Sequence, residues 1–236
     1  MIASLPLKTD YRDRTFPSVT LALIVVNTIV FLFELFLGDS LDAFIQTYAT
    51  VPCEVLATCA LPAGLSPSAP YVSMFTSMFL HGGWMHLIGN MLYLWVFGQN
   101  VEDAFGHGYY LVFYLACGVA ANLAQVAMSP MSTTPGLGAS GAIAGVLGAY
   151  VVLFPLANVR TLVRVGFLFL LPRIPAVVLL GLWFVLQLFS GLASLGATTE
   201  TGGVAYSAHI GGFLVGLAWA WLWRARHAPS VLAGEA

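Results

Sequence analysis

Ser140 stands in the run Gly138-Ala139-Ser140-Gly141-Ala142-Ile143-Ala144-Gly145. A serine hydroxyl becomes a useful nucleophile when a neighbouring base takes its proton. Histidines are the available bases. His81, His86 and His209 lie in apolar stretches, whereas His107 and His227 lie in polar flanks. A neutral imidazole beside Ser140 would make acyl-transfer chemistry possible. The run His81-Gly82-Gly83-Trp84-Met85-His86-Leu87-Ile88-Gly89-Asn90 adds His86 and Asn90, four residues apart and so on one helical face. Both can donate hydrogen bonds to an oxyanion. Each feature also has a structural reading. A serine in an apolar helix bonds its own backbone or packs as a small residue. His86 and Asn90 can equally form an interhelical hydrogen-bond pair that holds a bundle together.

The medium decides how these residues are to be weighed. Of 236 residues, 59% are hydrophobic and 8% charged, and mean hydropathy is +0.90. A soluble domain of this size has too few polar groups here to cover its surface. Net charge is −2 with eight Lys and Arg, so there is no basic patch for nucleic acid. The apolar runs are continuous rather than alternating, which favours helices over a β-barrel. The expected fold is an all-α integral membrane protein.

Six stretches reach the roughly 20 apolar residues that a crossing needs: 18–37, 79–99, 108–128, 138–155, 175–195 and 204–223. They leave a short segment 1–17 and a tail 224–236. Glu34 is the only Asp, Glu, Lys or Arg inside them, as the cost of a charge in lipid dictates. Residues 156–174 are too short of apolar length to span and read as an interfacial loop. Lys8, Arg12, Arg14, Arg160, Arg164, Arg173, Arg224 and Arg226 all fall on one side of a six-span topology. The positive-inside rule puts that side, with both termini, in the cytoplasm. Asp10 and Asp13 argue against a cleaved targeting segment, and a bacterial inner membrane is the simplest home. The external loop 38–78 contains Cys53 and Cys59, on the oxidising side, which form a disulfide or remain two thiols. Cys117 reads as packing.

Intramembrane polar residues are functional candidates by default. Asn27, Asn122, Gln125 and Gln187 join the histidines, Asn90 and Ser140 in this class. Gly141 and Gly145 form a G-x-x-x-G, as do Gly212 and Gly216 after Ala208-His209. Small residues at that spacing let helices approach closely, which would bring Ser140 and His209 together. Ser140, His209 and His86 are each roughly 21 Å above the cytoplasmic ends of their spans, and Asn90 is one turn deeper.

Together these motifs resemble the rhomboid family of intramembrane serine proteases. The likeness rests on six spans, a long first external loop, G-A-S-G opening the fourth span, H-x-x-x-x-H-x-x-x-N in the second and A-H-x-x-G-x-x-x-G in the sixth. It implies a six-transmembrane-helix rhomboid-like bundle, with Ser140 the nucleophile and His209 its base. It implies an oxyanion hole of His86, Asn90 and the Ser140 backbone N–H. Gly138, Gly141, Gly145, Gly212, Gly216, His81 and Glu102 would be structural support. Two positions depart from the family pattern. The first loop lacks the Trp-Arg pair common in rhomboids, and Ala144 stands where some bacterial members stack a Tyr on the catalytic histidine.

No acid lies near this layer in any span, so a Ser–His dyad is expected rather than a triad. Substrates would be single-pass membrane proteins cut near the external end of their span. The resemblance also implies that the fifth span tilts to admit them, released by the Gly- and Thr-rich stretch 196–204. Membrane lipid is the other partner; no nucleic acid, metal or cofactor is expected. Two rivals remain: a non-catalytic rhomboid-like protein that binds membrane clients, and a histidine-dependent proton or ion transporter.

Overall fold

The computed structural model describes residues 3–11, 14–59, 69–165, 167–195 and 205–231. The order begins with strand β1 (Ala3–Thr9) and helix α1 (Ser18–Leu35). Three short helices follow in the long loop: α2 (Leu41–Tyr48), α3 (Pro52–Val55) and α4 (Pro70–Thr76). Helix α5 (Trp84–Tyr93) passes through a π-helical turn, Leu94–Gly98, into α6 (Gln99–Phe105). Then come α7 (His107–Met128), α8 (Ser140–Leu153), strands β2 (Asn158–Val165), β3 (Leu168–Leu170) and β4 (Arg173–Pro175), and helices α9 (Ala176–Leu195) and α10 (Tyr206–Val231).

Ser18–Leu35, His107–Met128 and Ala176–Ala193 are each long and apolar enough to cross a bilayer. The other three expected spans are built differently. The second starts later than expected, at Trp84, and runs on to Phe105 through the π turn. The fourth has only 14 helical residues, about 21 Å, against a hydrocarbon core of about 30 Å. The sixth continues past residue 223 to Val231, and His209, its glycines and its tryptophans dilute its apolarity. Its extension carries Arg224 and Arg226 toward the helix C-terminus, where cations are favoured.

The expectation of an all-α chain is corrected by a four-stranded antiparallel sheet. β2 pairs with β1 along one edge and with β3 and β4 along the other. The stretch expected to be an interfacial loop therefore supplies strands, one of which pairs with β1 of the N-terminal segment. The physical reason is visible in Val159-Arg160-Thr161-Leu162-Val163-Arg164. Val159 and Thr161 are buried on one face while Arg160 and Arg164 point outward, the period-two pattern of a strand. Pro6 lies in the edge strand β1 at a register shift, where a missing N–H is tolerated. On the far side of β2, Phe167, Leu168, Phe169, Leu170 and Leu171 are exposed.

The sheet stands at the end of the bundle where α8 finishes. Asp10 takes the N–H and side-chain amide of Asn158 at 2.8 and 2.9 Å, and Thr9 Oγ1 donates to Asn100 Oδ1 at 2.8 Å. At the same end Arg224 donates to the carbonyl of Val152. The cation-bearing segments that are described thus gather at one end of the helices. Ser140 begins α8 at the other.

The core is aromatic: Phe97, Tyr110, Phe113, Tyr114 and Tyr150 are fully buried, with Phe97 packed edge-on against Tyr150. Glu102 is fully buried beside it. Its carboxylate accepts the N–H groups of Val19 and Thr20 at 2.9 and 2.8 Å, and meets His107 Nδ1 at 2.6 Å. It thereby satisfies two orphan donors at the start of α1 and places a negative charge at the helix N-terminus. His107 is part of this clamp rather than a bland flank. Glu102→Gln keeps the volume but weakens both bonds. We expect a loss of about 1–3 kcal/mol, read as a lower thermal midpoint in detergent; an unchanged midpoint would mean that the clamp is not stabilising.

Candidate active site

The site is made possible by glycine. Gly141 and Gly145 on α8 face Gly212 and Gly216 on α10, backbone against backbone. A Cβ on Gly212 would strike the carbonyl of Gly141, and one on Gly216 the carbonyl of Gly145. Both G-x-x-x-G motifs are thus used, and on each other. Gly148 extends the contact, since its Cβ would strike the carbonyl of Phe213. Helix α7 closes the third side, with Ala121 against Gly141 and Cys117 against Gly145, so Cys117 does pack.

With the backbones in contact, Ser140 Oγ and His209 Nε2 lie 2.8 Å apart. Ser140 is the first residue of α8. The first N–H of this helix to find a helical partner is that of Ile143, which donates to Ala139. The N–H groups of Ser140 and the residues just after it therefore form the positive end of the helix, a natural seat for an anion.

His86 and Asn90 arrive from α5. Gly138 has φ of +117°, a conformation that side chains disfavour. A Cβ there would meet His86 Nε2 at 2.7 Å and Asn90 Nδ2 at 3.6 Å. The glycine therefore lets both side chains come against the chain two residues before Ser140. Asn90 is buried, and its Nδ2 makes no hydrogen bond within the described protein. His86, Asn90, Ser140 and His209 line one cavity of about 640 Å³. His81 lies just before α5 rather than within it. It is buried, its N–H donates to the Glu34 carboxylate at 3.2 Å, and its ring rests edge-on against His86 at 5.2 Å. Glu34, the acid expected in the first span, thus holds the entry to α5 rather than the reacting layer.

The segment before Ser140 is held from outside. Gly138 N–H donates to Ser77 at 2.8 Å, and Thr50 and Gly136 exchange backbone bonds at 3.0 and 2.8 Å. Asn122 Nδ2 donates to Ser77 Oγ at 3.0 Å, and Cys53 N–H to the Ser132 carbonyl at 3.1 Å. Cys53 and Cys59 are joined in a disulfide. A first loop without the Trp-Arg pair is therefore fastened to the serine loop by main-chain pairing.

Two residues of α9 complete the surroundings of His209. Trp183 lies against its ring at 6.0 Å, and Gln187 Oε1 lies 3.2 Å from Nδ1. Gln187 was evident in the sequence only as a polar residue in a span. Its signal was the spacing from Trp183, four residues earlier on the same helical face. Ala144, in the position of the absent Tyr, is fully buried. The stretch 196–204, expected to free the fifth span, lies outside the described residues.

This geometry agrees with likeness at the level of sequence. The rhomboid domain profile matches residues 69–226, about two thirds of the chain. Rhomboid protein 1, mitochondrial, of Saccharomyces cerevisiae is 30% identical over 154 residues, 64% of this chain and 41% of that one. Rhomboid-like protein 11, chloroplastic, of Arabidopsis thaliana is 32% identical over 152 residues, 62% of this chain and 50% of that one. Rhomboid protease GluP of Bacillus subtilis is 45% identical over 76 residues, 32% and 14% of the two chains. The chain spans half or less of the length of these relatives. It belongs to the rhomboid family, and it is a membrane protein.

The glycine contact yields a direct test. Gly145→Leu or Gly212→Leu should force α8 and α10 apart and abolish the reactivity of Ser140 without removing a reactive group. Undiminished reactivity in both variants would show that the 2.8 Å contact does not depend on this packing.

Proposed function

We propose that this protein is an intramembrane serine endopeptidase of the six-span rhomboid type. The observation that carries the reading is the 2.8 Å contact of Ser140 Oγ with His209 Nε2 at the N-terminus of α8. The two departures from the family pattern, the loop without Trp-Arg and Ala144, leave that contact intact. A client-binding rhomboid-like protein needs no such contact. A transporter would be expected to pair its histidines with buried acids, and no Asp or Glu lines this cavity among the described residues.

The chemistry follows from the atoms. His209 Nε2 takes the hydroxyl proton as Ser140 Oγ attacks a peptide carbonyl. The oxyanion so formed is met by the Ser140 N–H, the unpaired amide of Asn90 and His86. Preorganised donors of this kind are worth roughly 3–4 kcal/mol each in the transition state. The proton on Nε2 passes to the leaving amine, and the acyl-enzyme remains on Ser140. Water then gives a proton to Nε2 and attacks the acyl carbon; the bond to Oγ breaks, Oγ takes the proton back from Nε2, and the acid is released.

The substrate class is set by depth. α8 is about 9 Å shorter than the hydrocarbon core, so Ser140 lies below the membrane surface, in the outer half if the cations face the cytoplasm. A single-pass protein whose span unwinds near its external end presents an extended backbone there. We place the enzyme in a bacterial inner membrane with both termini cytoplasmic, on the distribution of Lys and Arg.

The test uses a single-pass substrate tagged at both ends and reconstituted with the enzyme in liposomes. We expect cleavage in the outer half of the span, lost in Ser140→Ala and His209→Ala, with the double variant little worse than either single because the pair acts as a unit. Cleavage that persists in a folded Ser140→Ala protein, or falls near the cytoplasmic face, would overturn the reading.

A further inference from the structure

Two contacts meet on opposite nitrogens of one imidazole. His209 Nε2 faces Ser140 Oγ at 2.8 Å, and Nδ1 faces Gln187 Oε1 at 3.2 Å. A neutral imidazole carries a single N–H, and an amide oxygen only accepts. The proton in this arrangement therefore sits on Nδ1, and Nε2 keeps the lone pair that the serine proton requires. The reversed amide would donate to Nδ1, drive the proton to Nε2 and leave the base unable to accept.

We infer that Gln187 is a positioning residue that locks His209 in the competent tautomer and ring orientation, and that it does so from α9. The inference rests on the serine-protease reading above. A carboxylate fills this place in Ser-His-Asp sites, where losing the correct tautomer is costly. An amide supplies the orientation without bringing a charge into the membrane, where an acid would be expensive. The groups around His209 agree with an uncharged third member. α8 presents Ser140, α9 presents Trp183 and Gln187, and α5 presents His86 in the same cavity, which no acid lines among the described residues.

The placement on α9 has a mechanical consequence. One face of this helix carries Leu180, Trp183, Phe184 and Gln187, with Phe184 stacked on Phe213 of α10 at 4.4 Å. Val185, Leu186, Phe189 and Leu192 on its other sides are exposed. An outward shift of about 1 Å at residue 187 would take the Gln187 contact beyond hydrogen-bond reach. The base is thus fully oriented only while α9 is seated on α10, so a substrate that displaces α9 must let it reseat at this turn before the serine reacts.

The test uses the full chain in liposomes with a substrate cut in a Ser140-dependent manner. Gln187→Met, which keeps the bulk and removes the acceptor, should lower kcat about 10- to 100-fold with KM unchanged within about two-fold. Gln187→Glu, which restores an acceptor oxygen, should recover kcat to within about five-fold of the parent. Equal kcat in Gln187→Met and the parent, or a loss in Gln187→Met that Gln187→Glu does not recover, would overturn the inference while leaving the protease reading standing. Nitrogen-15 NMR of the unsubstituted protein is an independent arm that folding of the variants cannot confuse. The proton should lie on His209 Nδ1, and a proton on Nε2 would overturn the inference. Absence of Ser140-dependent cleavage in the parent would instead remove the protease reading, with the NMR arm still deciding the tautomer.

Discussion

The site depends on one constraint: α8 and α10 touch at their backbones. Side chains of ordinary size hold helix axes about 8–10 Å apart. Gly141, Gly145, Gly148, Gly212 and Gly216 remove that spacer from both partners at matched positions. A serine hydroxyl is short and an imidazole reaches only slightly farther, so a hydrogen bond between Ser140 and His209 requires such contact. In a lipid medium, where burial of apolar area does not drive helices together, close packing and polar contacts hold the bundle. The feature that stabilises the pair of helices is thus also the one that juxtaposes the reactive groups.

The rest of the fold serves to hold that pair in register. At one end, the sheet of β1 to β4 and the Glu102 clamp tie the N-terminal segment, α1 and the cation-bearing loop together. At the other, the long first loop is pinned to the segment before Ser140 through Thr50, Ser77 and Gly136. A short α8 lies between these two anchorages, and His86, Asn90 and His209 line the cavity at its first residue, Ser140. Some buried polar groups outside the site are tied to main chain, as the Asn27 amide nitrogen is to the carbonyl of Leu23 and Glu34 to the N–H of His81. The Asn90 Nδ2 donor makes no such bond, and Asn90 lines the cavity.

Much of this was legible in the sequence because membranes impose simple rules. Continuous apolar runs marked the helices, and glycines four apart marked the faces that meet. Ser140, His209, His86 and Asn90 stood out as polar residues in apolar surroundings, and the structure gathers them around one cavity. The sheet escaped because hydropathy windows tuned to 20-residue helices hide an eight-residue strand. The placing of Arg160 and Arg164 among the β-branched residues Val159, Thr161 and Val163 was its sign, and its partner in β1 is far away in sequence. The later start of α5 escaped because Gly82 and Gly83 are apolar enough to count toward a span. Gln187 escaped as a partner of His209 because its spacing from Trp183 marks a shared face of α9 but not that this face turns toward α10.

The central claim is that the α8–α10 contact turns Ser140 into a nucleophile. A fluorophosphonate probe reads this directly, since it reacts with an activated serine and leaves an adduct whose position mass spectrometry can map. Incubated with the purified protein in detergent or liposomes, it is expected to label Ser140 alone, with labelling lost in Ser140→Ala and in His209→Ala. A folded protein that takes no label, or a label that survives Ser140→Ala at another residue, would contradict the account.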